Sequence, residues 1–406
     1  MTDTQPPAQI ATTRPVVRLK PKADALRIRR GAPWVYADDI VTDRRTKNIA
    51  PGAIAVLQDA ERQEIGLVAV NGLSKIMVRM LDDDIEAEID QAWFKARFSR
   101  ALALRERLYD APFYRLVHAE GDGLPGVVVD RFGEICVVQA NAAWADTRFD
   151  MLVDALVAAT GVATVYKSAS GRTRELEGLD TESKLVRGAL DGLVPVVMNG
   201  ATYLADIAGG QKTGLFYDQR PNHAFAASLA EGARVLDVFS HVGGFGLAAL
   251  AGGAVSALAV DGSQPALDLA VQGAAASGFA DRFDTRKGDA FKTMEALLEE
   301  GASFDLVIAD PPAFAPSKKA LQNGLTAYSR VASMSAKLVA PGGYLVLCSC
   351  SHAAELSKFR QASLRGVARA GRSAQLIGTG GAGPDHPVHA ALAESSYLKA
   401  LFLRLD

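Results

Sequence analysis

From about residue 232 to the end of the chain, apolar positions fall in short unbroken runs: RVLDVFS, VSALAVD, FDLVIAD, GGYLVLCS and YLKALFLRL, with RFDTRKGD and SAQLIGT as weaker members. A run without polar alternation belongs to a strand covered on both faces. Between the runs, 245–252, 264–278, 290–300, 322–339 and 353–370 carry apolar residues at helical spacing. Strand alternating with helix predicts a doubly wound α/β sheet of seven mostly parallel strands over 201–406, with its ligand at the strands' carboxyl ends.

The first half reads differently. Residues 15–85 hold shorter β-like runs, PVVRL, GAIAVLQD, EIGLVAV and KIMVRML, punctuated by Gly and Pro and closed by an Asp cluster at 82–84. They predict a small β-rich domain. DQAWFKARFSRALALRERLYD, 90–110, has the period of a helix. It opens a central α+β domain over 86–200, with a hairpin around Gly133, a helix near 146–160, and the strands of ATVYKSAS and VPVVMNGATYLADI. Residues 1–14 are polar and Pro-rich and read as a frayed tail.

Composition narrows the class. Of 406 residues, 49% are hydrophobic and 22% charged, as in soluble globular proteins. No apolar run reaches the roughly 20 residues of a membrane helix, and no signal core opens the chain, so a cytoplasmic protein away from membranes is expected. Three cysteines exclude a disulfide framework, and Cys348 with Cys350 lacks the second pair that a zinc site needs, so no metal is expected. The net charge is −2, yet residues 14–47 hold ten Lys/Arg against four acids, and six acids follow in 82–90. Such a basic lobe is either a footprint for phosphates or a solvated face.

Candidate chemistry collects at the ends of the predicted strands. VLDVFSHVGGFGLAAL puts Asp237 on a strand and Gly243-Gly244 in the turn after it, with Phe239 between. Gly244 to Ala249 fits the loose dinucleotide pattern G-x-G-x-x-A, so NAD is one reading, although these glycines fall inside the expected helix. Asp261 ends the next strand and suits ribose hydroxyls, which does not discriminate between NAD and another nucleoside cofactor. Asp289 can accept from an adenine amine beside the Ala290 N–H, or cap a helix, or both. After FDLVIAD, the turn Asp310-Pro311-Pro312-Ala313-Phe314 is stiffened by two prolines that also remove two donors. It aims the Asp310 carboxylate at a flat amide or amine edge, with Phe314 set to stack on a base.

In that order and spacing, Asp237…Gly243-Gly244, Asp261, Asp289 and Asp310-Pro311-Pro312 resemble the class I S-adenosylmethionine-dependent methyltransferases. Further stretches look like one subfamily, the bacterial 23S ribosomal RNA cytosine-5 methyltransferases with an N-terminal PUA domain. They are RGAPWVYADDI (30–40), HAEGDGLPGVVVDRFG (118–133), QKTGLFYDQRPNH (211–223), DPPAFAPSKKAL (310–321), LCSCSH (347–352) and DHPVHAALAESSYLKALFLRL (385–405). The resemblance covers nearly the whole chain. It implies a PUA domain that holds RNA, with Arg29, Arg30 and Trp34 meeting it, then a central domain and a Rossmann-like catalytic domain. It implies S-adenosylmethionine as cofactor, ribosomal RNA as partner, and Gln219 and Arg220 at the cofactor's methionine end. Arg220 reads equally as a surface ion pair. A homodimer is left open.

The resemblance also gives the cysteines a use. C5 of cytosine is a poor nucleophile until a thiolate adds to C6. Other RNA cytosine-5 methyltransferases show Cys-Ser at this place, which selects Cys350 as nucleophile, with Asp310 holding N3 or N4 of the flipped base. SCSHAAE is expected to place Cys350 near a helix N-terminus. Strand alternation puts Cys348 on the same face, as deeper packing. The bland alternative makes both cysteines small core residues. One departure stands out: many of these enzymes carry a second cysteine where this chain has Pro312-Ala313, so the C5 proton's acceptor is unassigned, with water or His352 as candidates. Two other functions compete: methylation of a guanine or other base nitrogen, which needs no thiol, and RNA binding in ribosome assembly without turnover.

Overall fold

The computed structural model describes residues 14–209 and 214–406; the expected tail, but for Arg14, and Gln211–Thr213 of the QKTG stretch lie outside them. The β-rich lobe is a sheet of five strands in the order Val16–Arg18, Ala53–Gln58, Glu64–Val70, Val78–Asp82, Trp34–Val35. Alternation along Ala53–Gln58 turns Ala55 and Leu57 inward, onto Val17, Ile28, Val35, Val68 and Val78. The strand that enters the Asp cluster ends at Asp82.

In the central unit, Asp90 caps the long helix Gln91–Leu108 by accepting from Trp93 N–H at 2.8 Å. Phe94 of that helix stacks on Trp144 at 5.7 Å between ring centres. The unit's sheet runs Lys184–Arg187, Thr164–Lys167, Ile135–Ala140, Val127–Phe132, Phe113–His118. Its hairpin turns at Gly133, whose φ of 65° favours glycine.

The hairpin Val194–Met198/Ala201–Ala205 straddles the boundary expected at 200. Val196, Met198, Ala201, Tyr203 and Ala205 all enter the core of the C-terminal domain. Both arms therefore go with that domain, because a two-stranded ribbon cannot be divided without losing its ladder.

The C-terminal sheet contains β1 (Arg234–Val238), β2 (Ser256–Asp261), β3 (Phe283–Lys287), β4 (Phe304–Ala309), β5 (Val339–Ser349), β6 (Ala374–Gly380) and β7 (Lys399–Leu405), ordered β3-β2-β1-β4-β5-β7-β6. The first five strands are parallel, and β7 runs antiparallel to β5 and β6. Helices α1 (Gly244–Ala251) and α2 (Gln264–Ala276) pack with the hairpin on one face, while α3 (Ala290–Glu299), α4 (Leu321–Leu338) and α5 (Leu356–Arg369) cover the other. The strands are buried on both faces, which is why they read as unbroken apolar runs.

Two registers position the site. Ala309 lies opposite Leu347 across β4 and β5, and Ser349 lies opposite Lys399 across β5 and β7. The carboxyl ends of β4 and β5 and the start of β7 are thereby brought level. The helix expected from 353 begins only at Leu356. A turn fills the interval, with Ala354 N–H donating to Ser351 O at 3.2 Å, so Cys350 is not at a helix N-terminus.

Candidate active site

Asp237 on β1 is buried, and its Oδ2 accepts from Gly246 N–H at 2.8 Å. Its Oδ1 has no hydrogen-bond partner among the described residues. Burial pushes this carboxyl up to about 7 against the pull of the Gly246 amide, and Asp261 adds to the rise. The chain then turns sharply: Phe239, His241 and Gly243 take φ of 64°, 50° and 80°. Left-handed backbone at two non-glycine residues costs roughly 1–2 kcal/mol each and gathers at functional loops. Asp261 steadies the loop, accepting from His241 N–H at 2.9 Å and Ser263 N–H at 2.8 Å. The close approach that Gly244 permits is to a side chain, since a Cβ there would lie 2.7 Å from His223 Cε1. Asp289 caps α3 through Lys292 N–H at 3.0 Å, with Ala290 buried behind it.

At the end of β4, Asp310 Oδ2 accepts from Gln219 Nε2 at 2.8 Å. Gln219 Oε1 accepts from Asn222 Nδ2 at 2.6 Å, and Asn222 also donates to Gly381 O at 3.0 Å. Pro311 is buried and Pro312 exposed. Phe314 is half-buried in an aromatic cluster, with ring centres 6.4 Å from Phe239, 6.4 Å from Phe291 and 5.1 Å from Tyr328.

The two cysteines have different surroundings. Cys348 is 1% exposed, and burial, with Asp310 nearby, drives its thiol pKa far up. Cys350 is half-buried, one residue beyond the end of β5. On the opposite face, Ser349 Oγ donates to Tyr328 OH at 2.8 Å, Tyr328 OH meets Ser351 Oγ at 2.7 Å, and Ser351 Oγ accepts from Ala315 N–H at 2.9 Å. These bonds fasten the Asp310–Phe314 turn to the Cys350 turn. Beneath lies Lys399, buried, its Nζ donating to Ser351 O at 2.7 Å and Ala354 O at 2.9 Å.

A wall built by the C-terminal domain, with His118 of the central unit, adjoins the cysteine turn. Tyr397 OH donates to Asp218 Oδ2 at 2.6 Å, and its ring lies 5.5 Å from His352 and 6.4 Å from His118. His118 faces His386 at 4.9 Å, and His386 Nδ1 meets Asp385 at 2.9 Å. Burial, reinforced by neighbouring positive groups, pushes His118 down to about 2, so it is neutral.

The sequence-based candidates thus divide. Asp237 and Asp261 lie at the ends of β1 and β2, Gly244 and Ala290 open α1 and α3, Gln219 ends the helical turn Tyr217–Gln219, and Phe239, Gly243, Asp289, Asp310, Pro311, Phe314 and Cys350 lie on the loops after the strands. Arg220 follows Gln219 but turns toward the central unit, donating to Phe113 O at 2.9 Å over the Tyr109 ring. Trp34 Nε1 donates to Glu120 at 2.8 Å, tying the first lobe to the central unit. Arg29 and Arg30 are both exposed, and Arg29 bonds Asp59 at 2.8 Å and Glu64 O at 3.0 Å. Lys399, Tyr328 and Tyr397 were not singled out from the sequence; their roles arise from pairing and packing with distant segments.

The family of S-adenosylmethionine-dependent methyltransferases matches residues 165–404, more than half of the chain. The chain belongs to the S-adenosylmethionine-dependent methyltransferases. A PUA-like domain matches residues 17–83 of this methyltransferase, the β-rich lobe. It is 35% identical over 389 residues to the Ribosomal RNA large subunit methyltransferase I of Alteromonas mediterranea, covering 95% of this chain and 97% of the relative. It is 34% identical over 408 residues to a Ribosomal RNA large subunit methyltransferase of Deinococcus radiodurans, covering 98% and 99%. Among solved structures, a SAM-dependent methyltransferase from Streptococcus mutans shares its fold, with TM-score 0.80 at 18% identity over 96% of this chain and 100% of that one. Another methyltransferase, solved with SAH, gives TM-score 0.81 at 18% identity over 97% and 100%. The cofactor of this methyltransferase is S-adenosylmethionine, and the dinucleotide pattern at Gly244 falls away as a reading. A buried Asp237 oxygen with no hydrogen-bond partner among the described residues, beside a strained loop, suits a ligand that carries N–H and O–H donors. Among the described residues, no helix is long and apolar enough to cross a membrane.

Proposed function

We propose that this methyltransferase acts on large-subunit ribosomal RNA and methylates C5 of a cytosine through a covalent adduct with Cys350. The relatives' names support the substrate, and the PUA-like lobe fits RNA binding. The observation that carries the chemistry is the contrast within LCSCSH: Cys348 is sealed in the core, while Cys350 is accessible on the turn fastened to Asp310 and backed by Lys399. A core role for both cysteines does not explain that contrast.

S-adenosylmethionine supplies an electrophilic methyl group on a sulfonium. Asp237, the Phe239–Gly244 loop, Asp261, Asp289, Ala290 and Pro311 are the cofactor-binding set of this reading, with Gln219 at the methionine end. Asp310 orients the amide edge of the extruded cytosine, and Phe314 with Phe239 offers it an aromatic wall. The Cys350 thiolate bonds to C6, the C5–C6 electron pair moves to C5, and C5 takes up the methyl group as its bond to the sulfonium breaks, the bond pair staying on sulfur to leave a neutral thioether. A base removes the C5 proton, the pair returns to the C5–C6 bond, and the thiolate leaves C6. With Pro312-Ala313 in place of a second cysteine, that proton goes to water or to His352, which is exposed beside the Cys350 turn.

Cys350→Ala is the test. Methyl transfer from labelled cofactor to unmodified large-subunit RNA falls by roughly a thousandfold or more, while cofactor binding by calorimetry is retained. Full activity in the variant favours base-nitrogen methylation, which uses no thiol. No transfer by the wild type to any RNA favours an assembly role. Nucleoside mass spectrometry of the product identifies 5-methylcytidine.

A further inference from the structure

Cys350 lacks the helix N-terminus that usually favours a thiolate, since α5 begins only at Leu356. Another group occupies the place. Lys399 opens β7 opposite Ser349, and its chain runs beneath the turn that follows Cys350. It is 7% exposed, and its ammonium donates to Ser351 O and Ala354 O, the two carbonyls bounding that turn. Among the described residues it forms no ion pair with a carboxylate. A buried ammonium with only neutral acceptors is costly. For shape alone, an uncharged donor would serve.

We propose that Lys399 is the positioning residue that makes Cys350 a nucleophile, clamping its turn through two carbonyls and supplying the positive charge that favours the thiolate. This rests on the reading of Cys350 as the attacking group. The step is a simple ionisation: the thiol proton passes to solvent, and the sulfur keeps its electron pair for C6.

The electrostatics agree in sign. Burial pushes Lys399 down to about 8, and Cys350 pulls it back upward, an attraction that works equally on the sulfur. Other titratable groups around the turn, among the described residues, include Tyr328 from α4, Cys348 on β5, Asp310 after β4, His352 on the turn itself, Tyr397 before β7, and Glu355 at the start of α5, which pairs with Lys358 at 3.3 Å. Tyr328, Tyr397 and Cys348 are held neutral by burial, first of all, and Asp310 acts against ionisation of Cys348. Lys399 is thus a buried cation held directly beneath the Cys350 turn.

The test needs no RNA. The whole folded chain is alkylated with iodoacetamide across a pH series, and the Cys350 peptide is followed by mass; Cys136 and Cys348 are buried. Lys399→Gln keeps an N–H donor for the carbonyls and removes the charge. Its alkylation rate at pH 7 is expected to fall about tenfold, which corresponds to one pKa unit. Lys399→Arg restores the rate, and cofactor affinity is unchanged in both. An unmoved rate in a folded Lys399→Gln protein overturns the proposal. If that variant does not fold, the Lys399 Cε resonance is titrated by NMR in the wild type and in Cys350→Ala. A midpoint that drops in Cys350→Ala supports the coupling, and an unchanged one ends it. Should Cys350→Ala still methylate RNA, the nucleophile reading fails instead, while the alkylation result stands by itself.

Discussion

At the residue scale, Asp237 shows a buried carboxyl whose chemistry is set by its surroundings. Its position at the end of the first strand was legible, because a lone acid inside an apolar run is conspicuous. Its protonation behaviour was not, because that depends on the β2 and α1 groups that close over it. The folded-state value of about 7 lies above the ordinary 3.8, so the folded chain binds this proton more tightly than the unfolded chain. The resulting stability is complete below about pH 4 and is lost as pH rises through about 7. The expected outcome is a cofactor-free protein whose urea-unfolding free energy declines between these limits. Asp237→Asn, which cannot ionise, should flatten that decline. An identical slope in the two proteins would show that Asp237 ionises freely in the fold. Gly244 carries a similar lesson, for the sequence announces a close approach but not that the approaching group is the His223 ring.

At the element scale, the sheet was legible because strands buried on both faces leave unbroken apolar runs, and the helices because their apolar spacing differs. What remained hidden was set by pairing across the chain. Lys399 reads as one polar residue entering a strand in SSYLKALFLRL; only the antiparallel register of β7 on β5 places it under the Cys350 turn. Tyr328 is equally silent in a helical period, yet its hydroxyl joins Ser349 and Ser351 and through them the two site loops. Tyr328→Phe keeps the ring contacts with Phe314 and Phe359 but leaves buried serine hydroxyls short of a partner. It should cost about 1–3 kcal/mol in urea unfolding, with slower methyl transfer from a loosened Asp310–Phe314 turn. A destabilisation under about 0.5 kcal/mol would mean that the serines find other partners. The late start of α5 belongs here too: two alanines and a glutamate read as helix, but the carbonyls of Ser351 and Ala354 are held by Lys399 instead.

At the scale of the molecule, the basic excess counted over residues 14–47 overstates what a polyanion meets. Arg29 is paired with Asp59 at 2.8 Å, and Arg14 with Glu88, a member of the acidic run, at 2.9 Å. Trp34 is tied to Glu120 at 2.8 Å, beside Arg79, which bridges Glu120 at 3.3 Å and Glu177 at 3.0 Å, so it helps dock the lobe. Lys22, Arg30, Arg44, Arg45 and Lys47 remain exposed. If the lobe grips RNA phosphates, these cations carry the grip. Replacing Arg30, Arg44 and Arg45 together with Ala is expected to weaken RNA binding and to lower the slope of log affinity against log salt by roughly 0.7–0.9 for each phosphate that is no longer neutralised. The melting temperature should hardly move, since exposed charges contribute little to stability. Arg29→Ala should do the reverse, lowering the melting temperature as its bonds to Asp59 and Glu64 O disappear while leaving the salt slope near that of the wild type. Binding titrations over a salt series, set beside thermal melts, separate the two. An unchanged slope in the triple variant would place the RNA-binding surface outside this lobe, and the PUA-like domain would then serve this methyltransferase as a structural spacer.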